Sequence, residues 1–322
     1  MRNESKLHFH ARMLADTTRI QAYQSAICQV VRPGDVVVDL GTGTGILAFF
    51  AVRAGAKRVI GIDQDAFILR KARILAQDNH FSDRVEFRHA NILELTEFDT
   101  PVDVVMSELI GNEGIEERIF SIHKHFLQLL PRPVRTILPD VLRLHAACFQ
   151  IPQIRERIES VRTAGGLQMH RLANALYHAH VLMPLPVDMA SSPALLYEGR
   201  PGIDIIPESF SCTWDFSEPQ TIDGVGLWFS SQLAPNIELT NDPREKSTSW
   251  TQCFFPILLS QPVIGRVRFD LWPRTLGGVP HWKWRFRTSD VDFTGDPDTL
   301  DEPDSVTEWL DHWNIVYPSE KT

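Results

Sequence analysis

The sequence predicts an α/β protein in two parts, a doubly wound parallel sheet followed by an antiparallel sheet or barrel with a helical insertion. Strand-like and helix-like runs alternate from Val36 to Leu138, at lengths that imply right-handed crossovers. After Pro139 the pattern turns to short apolar or alternating segments separated by Pro, Gly, Asn and Asp. Tryptophan usage marks the same division, because all 8 tryptophans lie beyond residue 200. A chain of 322 residues, 43% hydrophobic and 23% charged, is long enough for two cores.

Ahead of the sheet, His8–Val31 reads as one helix or two short ones, closed by Pro33-Gly34. Val36–Leu40 is a continuous β-branched run, the mark of a parallel strand covered on both faces. Ile46–Ala54 follows as a helix, Arg58–Ile62 as a strand, Ala66–Asp78 as a helix and Arg84–Arg88 as a strand. Val102–Ser107 is the fourth strand, Ile115–Leu129 a helix and Val134–Leu138 the fifth strand. Beyond them, Val141–Gln150, Ala175–Met183, Glu208–Phe216, Gly224–Ser231, Thr251–Leu258 and Gly265–Trp272 read as antiparallel strands. The polar run Ile154–Leu172 interrupts them and is compatible with helix, and Asp290–Asp304 reads as a solvated acidic loop.

Composition narrows the function. Lys plus Arg is 32 against 41 for Asp plus Glu, so the net charge is −9. Nucleic-acid binders show a basic surface, which argues against that class and for a cationic partner. The fourth strand also lacks the Asn-Pro-Pro-Tyr-type loop of nucleic-acid methyltransferases. No apolar run nears the ~18 residues of a membrane span, and Met1–Leu14 lacks the apolar core of a signal peptide. Cys28, Cys148, Cys212 and Cys253 form no metal-ligand pair and read as reduced, mostly buried thiols of a cytoplasmic protein.

Residues 36–45, Val-Val-Val-Asp-Leu-Gly-Thr-Gly-Thr-Gly, carry the most information. A strand ends at Asp39–Leu40, and Gly41, Gly43 and Gly45 let the chain turn sharply and approach a ligand before a helix starts. The spacing differs from the GxGxxG that aims a helix N-terminus at a pyrophosphate. Asp39 would repel a diphosphate but suits a cationic, amino-acid-like group. Asp63 ends the next strand, where a carboxylate can accept both hydroxyls of a ribose. Together these residues are the signature of S-adenosylmethionine-dependent methyltransferases of the Rossmann-like class, with a glycine turn of some other α/β enzyme as the alternative. Ligands of such sheets sit at the carboxyl ends of the strands, which places Asn91 and Ile92 against the adenine.

The second informative stretch, Ser107-Glu108-Leu-Ile-Gly-Asn-Glu-Gly-Ile-Glu-Glu117, follows the fourth strand at the same sheet edge. A helix start explains Glu116 and Glu117, since Glu is favoured in a first turn. It does not explain Glu108, at the end of a buried strand. The functional alternative is a pair of carboxylates gripping a cation. A guanidinium fits best, because its planar fork pairs bidentately with carboxylate.

At this point four matches make the chain resemble the protein arginine methyltransferases over nearly its whole length. His10-x-x-Met13-Leu14-x-Asp16-x-x-Arg19 is similar to the family's cofactor-covering N-terminal helix. Val38–Leu47, with Ala54-Gly55-Ala56 and Val59–Asp63, is similar to its glycine loop and second strand. Glu108 and Glu117 have the separation of its two substrate glutamates, and Leu138-Pro139-Asp140 looks like its junction with a β-barrel. The resemblance implies N-terminal cofactor-covering helices (1–32), a Rossmann-like cofactor domain (33–139) and a β-barrel substrate domain (140–322). It also implies a homodimer built through a helical arm, for which about 154–172 is the candidate; a surface helix without that role is the alternative.

The implied reaction is in-line transfer of methyl from S-adenosylmethionine to a guanidinium nitrogen of an arginine in a protein or peptide. The resemblance assigns Glu108 and Glu117 to the catalytic clamp, with Glu116 as the register alternative for Glu117 and Glu113 as a solvated loop residue. It gives the cofactor to His10, Met13, Arg19, Asp39, Gly41, Thr42, Gly43, Gly45, Ile46, Leu47, Asp63, Gln64, Asn91, Ile92 and Glu108. By the same resemblance Arg19 would pair with the cofactor carboxylate, with a helix-surface charge as the alternative, and Asp16 would bond toward Ser249, with simple helix solvation as the alternative. Ser249 and Trp250, in Thr248-Ser249-Trp250, flank the acceptor and stand where the family has Thr-His-Trp. That Ser resembles the symmetric-dimethylating branch and Met13 the asymmetric one, so the product type is open. Asn3-Glu4-Ser5 replaces the paired tyrosines that help wall the family's substrate pocket, and Leu93 precedes Glu94 where the family places the acid on adenine. A small guanidine or amine metabolite as acceptor, or an inactive S-adenosylmethionine-binding scaffold, are the competing readings. No metal is expected.

Overall fold

The computed structural model describes residues 3–276 and 279–297. The β-branched run Val36–Leu40 forms β1, the middle strand of a five-stranded parallel sheet. Its companions are β2 (Arg58–Asp63), β3 (Val85–His89), β4 (Val104–Ser107) and β5 (Thr136–Leu138), in the order β3-β2-β1-β4-β5. The registers set Asp39 beside Gly61 on β2 and beside Met106 on β4. The chain steps outward from β1 to β3 and then returns to the other side of β1 for β4, so the order reverses between β1 and β4. In an open parallel sheet a crevice forms at the carboxyl ends of strands flanking such a reversal. The glycine loop and the acidic loop both begin there.

Five helices belong to this sheet. α1 (Asn3–Ala15) and α2 (Thr17–Val30) break at Asp16, whose carboxylate caps α2 by accepting from the Arg19 N–H. α3 (Ile46–Arg53) is apolar nearly all round and buried, whereas α4 (Ala66–Asp78) buries only the stripe Ile68, Leu69, Ala72 and Ala76. Alternate residues of the strands feed two cores. Val37, Val59, Val104 and Met106 pack with α2, α3 and α4, and Val38, Ile60, Ile62 and Val105 pack with Phe126 of α5 (Ile119–Gln128) on the opposite face.

α5 starts at Ile119 rather than at Ile115, as the sequence predicts. The preceding residues form turns: the Glu116 carboxylate accepts from the Glu113 N–H at 2.9 Å, and Arg118 adopts a left-handed φ of 64°. A helix cannot run through that conformation.

The chain divides into two compact units. One comprises the chain up to Arg143 with Glu198–Ile206 and Phe229–Trp250, and the other Leu144–Tyr197, Pro207–Trp228 and the chain from Thr251. The antiparallel strands are β6 (Val141–Phe149), β7 (Val181–Met183), β8 (Ala194–Gly199), β9 (Phe210–Gln220), β10 (Gly224–Ala234), β11 (Ile237–Thr240), β12 (Gln252–Pro256), β13 (Val263–Leu276), β14 (Val279–Arg287) and β15 (Asp292–Gly295). Within the first unit, the end of β10 pairs antiparallel with β11, and Leu233, Ala234 and Leu239 join the core of α2. Within the second, β15-β14-β13-β9 form one antiparallel sheet, and β12 pairs with β7 and with the start of β10.

The helical insertion consists of α6 (Pro152–Val161), a short turn at Ala164–Gly166 and α7 (His170–Leu176). Part of the expected strand Ala175–Met183 is therefore helix: Ala173 and Tyr177 pack against Ile158, and only Val181–Met183 is extended. In the expected acidic loop, Asp292–Gly295 pairs with β14, and 298–304 lie outside the described residues. Cys148 and Cys253 are buried, Cys212 is half-buried, and Cys28 is exposed. Among the described residues no helix is long and apolar enough to cross a membrane.

Candidate functional site

The glycine loop that leaves β1 is folded by its own hydrogen bonds. Gly41 and Thr42 N–H donate to the Ile62 carbonyl at 2.8 and 3.0 Å, and Gly43 N–H donates to Asp63 Oδ2 at 2.8 Å. Asp63 Oδ1 accepts from the Asp65 N–H, so one carboxylate at the tip of β2 braces both the loop and the start of α4. Gly43 has φ 53°, and a Cβ there would stand 3.2 Å from the His10 ring. Helix α1 thus lays His10 directly on the loop, and Lys6 pairs with Asp65 at 2.7 Å. Burial lowers the His10 pKa, against the pull of Asp63 and Asp65, so the ring is neutral at pH 7.

On the far side of the crevice stands Glu108, just after β4. Its carboxylate forms an ion pair with Arg19 of α2, which is 6% exposed, and accepts from the Ile110 N–H. Arg19 also donates to the Met13 carbonyl at 3.0 Å, its guanidinium lies 5.5 Å from the Trp250 ring centre, and its Nε has no partner among the described residues. The Trp250 indole donates to the Ile110 carbonyl at 2.6 Å and meets Phe229 edge to face. Asp16 accepts from the Ser249 N–H at 2.6 Å, which ties the Ser249–Trp250 loop to the start of α2. Beneath Glu108, Ser107 Oγ and His123 Nε2 share a buried hydrogen bond of 2.7 Å, and burial holds the His123 pKa down to about 3.

The turns before α5 separate two adjacent acids. Glu117 faces the cavity, where surrounding protein and the Glu108 charge push its pKa to about 7 and Arg19 opposes them. Glu116 points the other way, over Gly111, where any Cβ would collide with its Oε1 at 1.9 Å. Burial followed by the Glu113 charge raises the Glu116 pKa well above the carboxylate range, so it is a neutral acid.

These groups enclose a cavity of about 570 Å³ within the first unit. The structure brings together His10, Met13, Arg19, Gly41, Thr42, Gly43, Ile46, Leu47, Asp63, Gln64, Asn91, Ile92, Glu108, Glu117, Ser249 and Trp250. Asp39 and Gly45 do not line it. Asp39 is fully buried under the loop and accepts from Thr42 Oγ1 at 2.6 Å, with burial pushing its pKa to about 7. Gly45, at φ 84°, begins α3 against Phe87. Asn91 accepts from the Leu93 N–H and donates to Glu94, which is itself outside the lining. Sequence reasoning missed Phe9, Arg12 and Leu14 on α1, Leu109 to Asn112 in the acidic loop, and Arg118. Arg12 and Leu14 are immediate neighbours of Met13, so the N-terminal motif that pointed to Met13 could have found them.

Comparison with known proteins gives the family of the chain. Residues 32–178 match the family model described as a methyltransferase domain. Protein arginine N-methyltransferase 1 of Chlamydomonas reinhardtii is 38% identical over 271 residues, covering 78% of this chain and 76% of that one. The arginine N(omega)-methyltransferase of Streptomyces achromogenes subsp. streptozoticus is 27% identical over 278 residues, covering 81% and 74%. Among solved structures, the Trypanosoma brucei PRMT1 enzyme-prozyme complex with AdoHcy superposes with a TM-score of 0.77 at 20% identity, over 89% of this chain and 96% of that one. Arabidopsis thaliana protein arginine methyltransferase 10 follows at 0.70 and 21%, over 90% and 97%. At those identities the structural matches speak for the fold.

Proposed function

Because the chain belongs to the protein arginine N-methyltransferase family, we propose that the cavity of its first unit holds S-adenosylmethionine beside an acceptor guanidinium clamped by Glu108 and Glu117. The protein is an S-adenosylmethionine-dependent arginine N-methyltransferase. One observation carries the site assignment: Glu108, Glu117 and Arg19 meet across the strand reversal from the glycine loop, in one cavity.

The residues present fit the cofactor. Arg19 offers a carboxylate a cation with an unpartnered Nε. The Asp63 oxygens each accept one backbone N–H and keep lone pairs for a diol. Gly43 leaves room that a side chain would take from His10, while Asn91 and Ile92 line the base end. Bound there, S-adenosylmethionine supplies an electrophilic methyl group.

The chain's own residues orient the acceptor and hold its charge. A guanidinium is a poor nucleophile, since its lone pairs are delocalised and its pKa exceeds about 12. Two carboxylates on one side localise the positive charge and leave one nitrogen facing the methyl donor, which is electrostatic preorganisation. Transfer forms one N–C bond as the S–CH3 bond breaks, its electron pair staying on sulfur in the departing thioether S-adenosylhomocysteine, and that nitrogen releases one proton. Arg19 and Trp250 keep Glu108 and the Ile110 backbone in place for this.

The same reading makes the acceptor an arginine in a protein or peptide, residues 33–139 the cofactor domain and 140–322 a β-barrel domain. It makes the insertion carrying α6 and α7 the arm of a homodimer, in a cytoplasmic protein. Incubation with isotope-labelled S-adenosylmethionine and a host extract split into protein and small-molecule fractions, followed by acid hydrolysis, tests the reaction. The expected result is labelled methylarginine from the protein fraction, absent with Glu108→Gln although that variant still binds cofactor. Label confined to small molecules, or transfer by Glu108→Gln at the wild-type rate, overturns the acceptor class or the clamp respectively. The hydrolysate also reports the product type that Met13 and Ser249 leave open.

A further inference from the structure

The two carboxylates account for the positive end of an acceptor, but the lining of the same cavity also includes an arginine that they do not use. Arg118 directly follows Glu117 and lines the cavity. Its backbone serves the turn and α5: its N–H donates to the Ile115 carbonyl, and its carbonyl accepts from Ile122 N–H and Ser121 Oγ. Its guanidinium has no ion pair or hydrogen bond among the described residues, although four glutamates precede it in ten positions.

Nothing local favours arginine at this position. At φ 64° the backbone suits glycine or asparagine. At the start of a helix the macrodipole disfavours a cation, and the preferred residues there are Ser, Thr, Asp and Asn. The side chain is exposed and joins no core. Sequences break local rules where function requires it, and a planar guanidinium in a ligand cavity most readily takes a carboxylate, through two parallel hydrogen bonds. The cofactor carboxylate already has Arg19, which leaves Arg118 for the acceptor.

We propose that Arg118 binds a carboxylate of the acceptor, so that the preferred acceptor is an arginine with an acidic group close to the side chain that is methylated. Two sources offer this chemistry: the α-carboxylate of a free or chain-terminal arginine, and an Asp or Glu side chain beside an internal one. The proposal rests on the arginine methyltransferase reading above and goes beyond it in naming the acceptor's second charge.

Steady-state kinetics on matched acceptors test it. One pair is a peptide ending in arginine as the free acid and as the amide; the other is a peptide with one internal arginine flanked by Asp or by Asn. Wild-type enzyme is expected to show a KM roughly tenfold lower for the acidic member of at least one pair, as loss of one charge-assisted bidentate contact implies. The pair that shows it identifies the source. In Arg118→Gln that KM ratio should fall close to one, and Arg118→Lys should restore part of it. A ratio of KM values within one preparation does not depend on how much of that preparation is folded. A wild-type ratio of one in both pairs, or an unchanged ratio in Arg118→Gln, overturns the proposal alone. Methylation of none of the peptides or of free arginine by the wild type overturns the arginine reading itself and this proposal with it.

Discussion

At the clamp, charge is apportioned among three side chains before any ligand arrives. Arg19 neutralises Glu108 through a buried ion pair, while Glu117 has no ion pair among the described residues and is held near 7 by its surroundings and by Glu108. A guanidinium needs the ionised form of both acids. Because the Glu117 pKa is raised, its charge is present above about 7 and is lost as the pH falls through that value. The kcat/KM for the acceptor is therefore expected to rise about tenfold per pH unit below the Glu117 pKa and to level off above it. A profile flat from pH 6 to pH 8 would show that Glu117 is already ionised over that range, and the Glu117→Gln variant then decides its place in the clamp. The adjacent acid provides the contrast. Burial and the Glu113 charge favour the neutral form of Glu116, which lies outside the cavity and accepts from the Glu113 N–H. Glu116→Gln keeps an acceptor oxygen and removes no charge, so turnover should stay within about twofold of wild type, whereas Glu117→Gln should lose most of it.

The site is assembled from loops that follow neighbouring strands, and the loop after β1 is the tightest of them. Gly43 carries a left-handed φ beneath His10, so Gly43→Ala costs about 1–2 kcal/mol locally and forces the His10 ring to shift by a few tenths of an ångström over the cofactor loop. Calorimetric titration with S-adenosylmethionine is expected to show at least a tenfold weaker Kd, with cooperative unfolding retained. This element was legible in the sequence because its signal is local: a β-branched strand, three spaced glycines and an acid at the tip of β2. Glu108 was legible for the same reason, as a charge at the end of a buried strand. The start of α5 was not. Glu116 and Glu117 look like ordinary first-turn acids, and only the bond from Glu113 N–H to Glu116 and the left-handed Arg118 show that the chain turns before the helix begins. The short strand β11 and the extension of α7 also escaped, because packing against α2 and against Ile158 decides them rather than periodicity. Asp39 misled in a different way: its charge suggested a ligand contact, and its burial makes it a brace for Thr42.

At the scale of the whole molecule, the insertion in the second unit is tied down at its root and between its helices. Asp223, 3% exposed, accepts from the Ile151 N–H at 2.7 Å and pairs with Arg155, which fixes the root of α6. Ile158, Ala173 and Tyr177 then lock α6 to α7, and Arg162 bonds Glu159 and Asn174 across them. The helices thereby spend their apolar faces on each other, yet Leu167 stays 61% exposed and Leu172 39% exposed at the turn between them and the start of α7. Single exposed leucines are ordinary on a protein surface. Two on this insertion suit the homodimer arm proposed above, with a second copy covering them. Replacing both with glutamate places charges where apolar contact is needed, at a cost of several kcal/mol to association, while the helices keep the contacts that hold them. Sedimentation equilibrium is expected to show a dimer for the wild type and a monomer for Leu167→Glu/Leu172→Glu, with the same far-ultraviolet circular dichroism. A wild-type monomer, or a double variant that stays dimeric, would leave α6 and α7 as surface helices and move any self-association to another face.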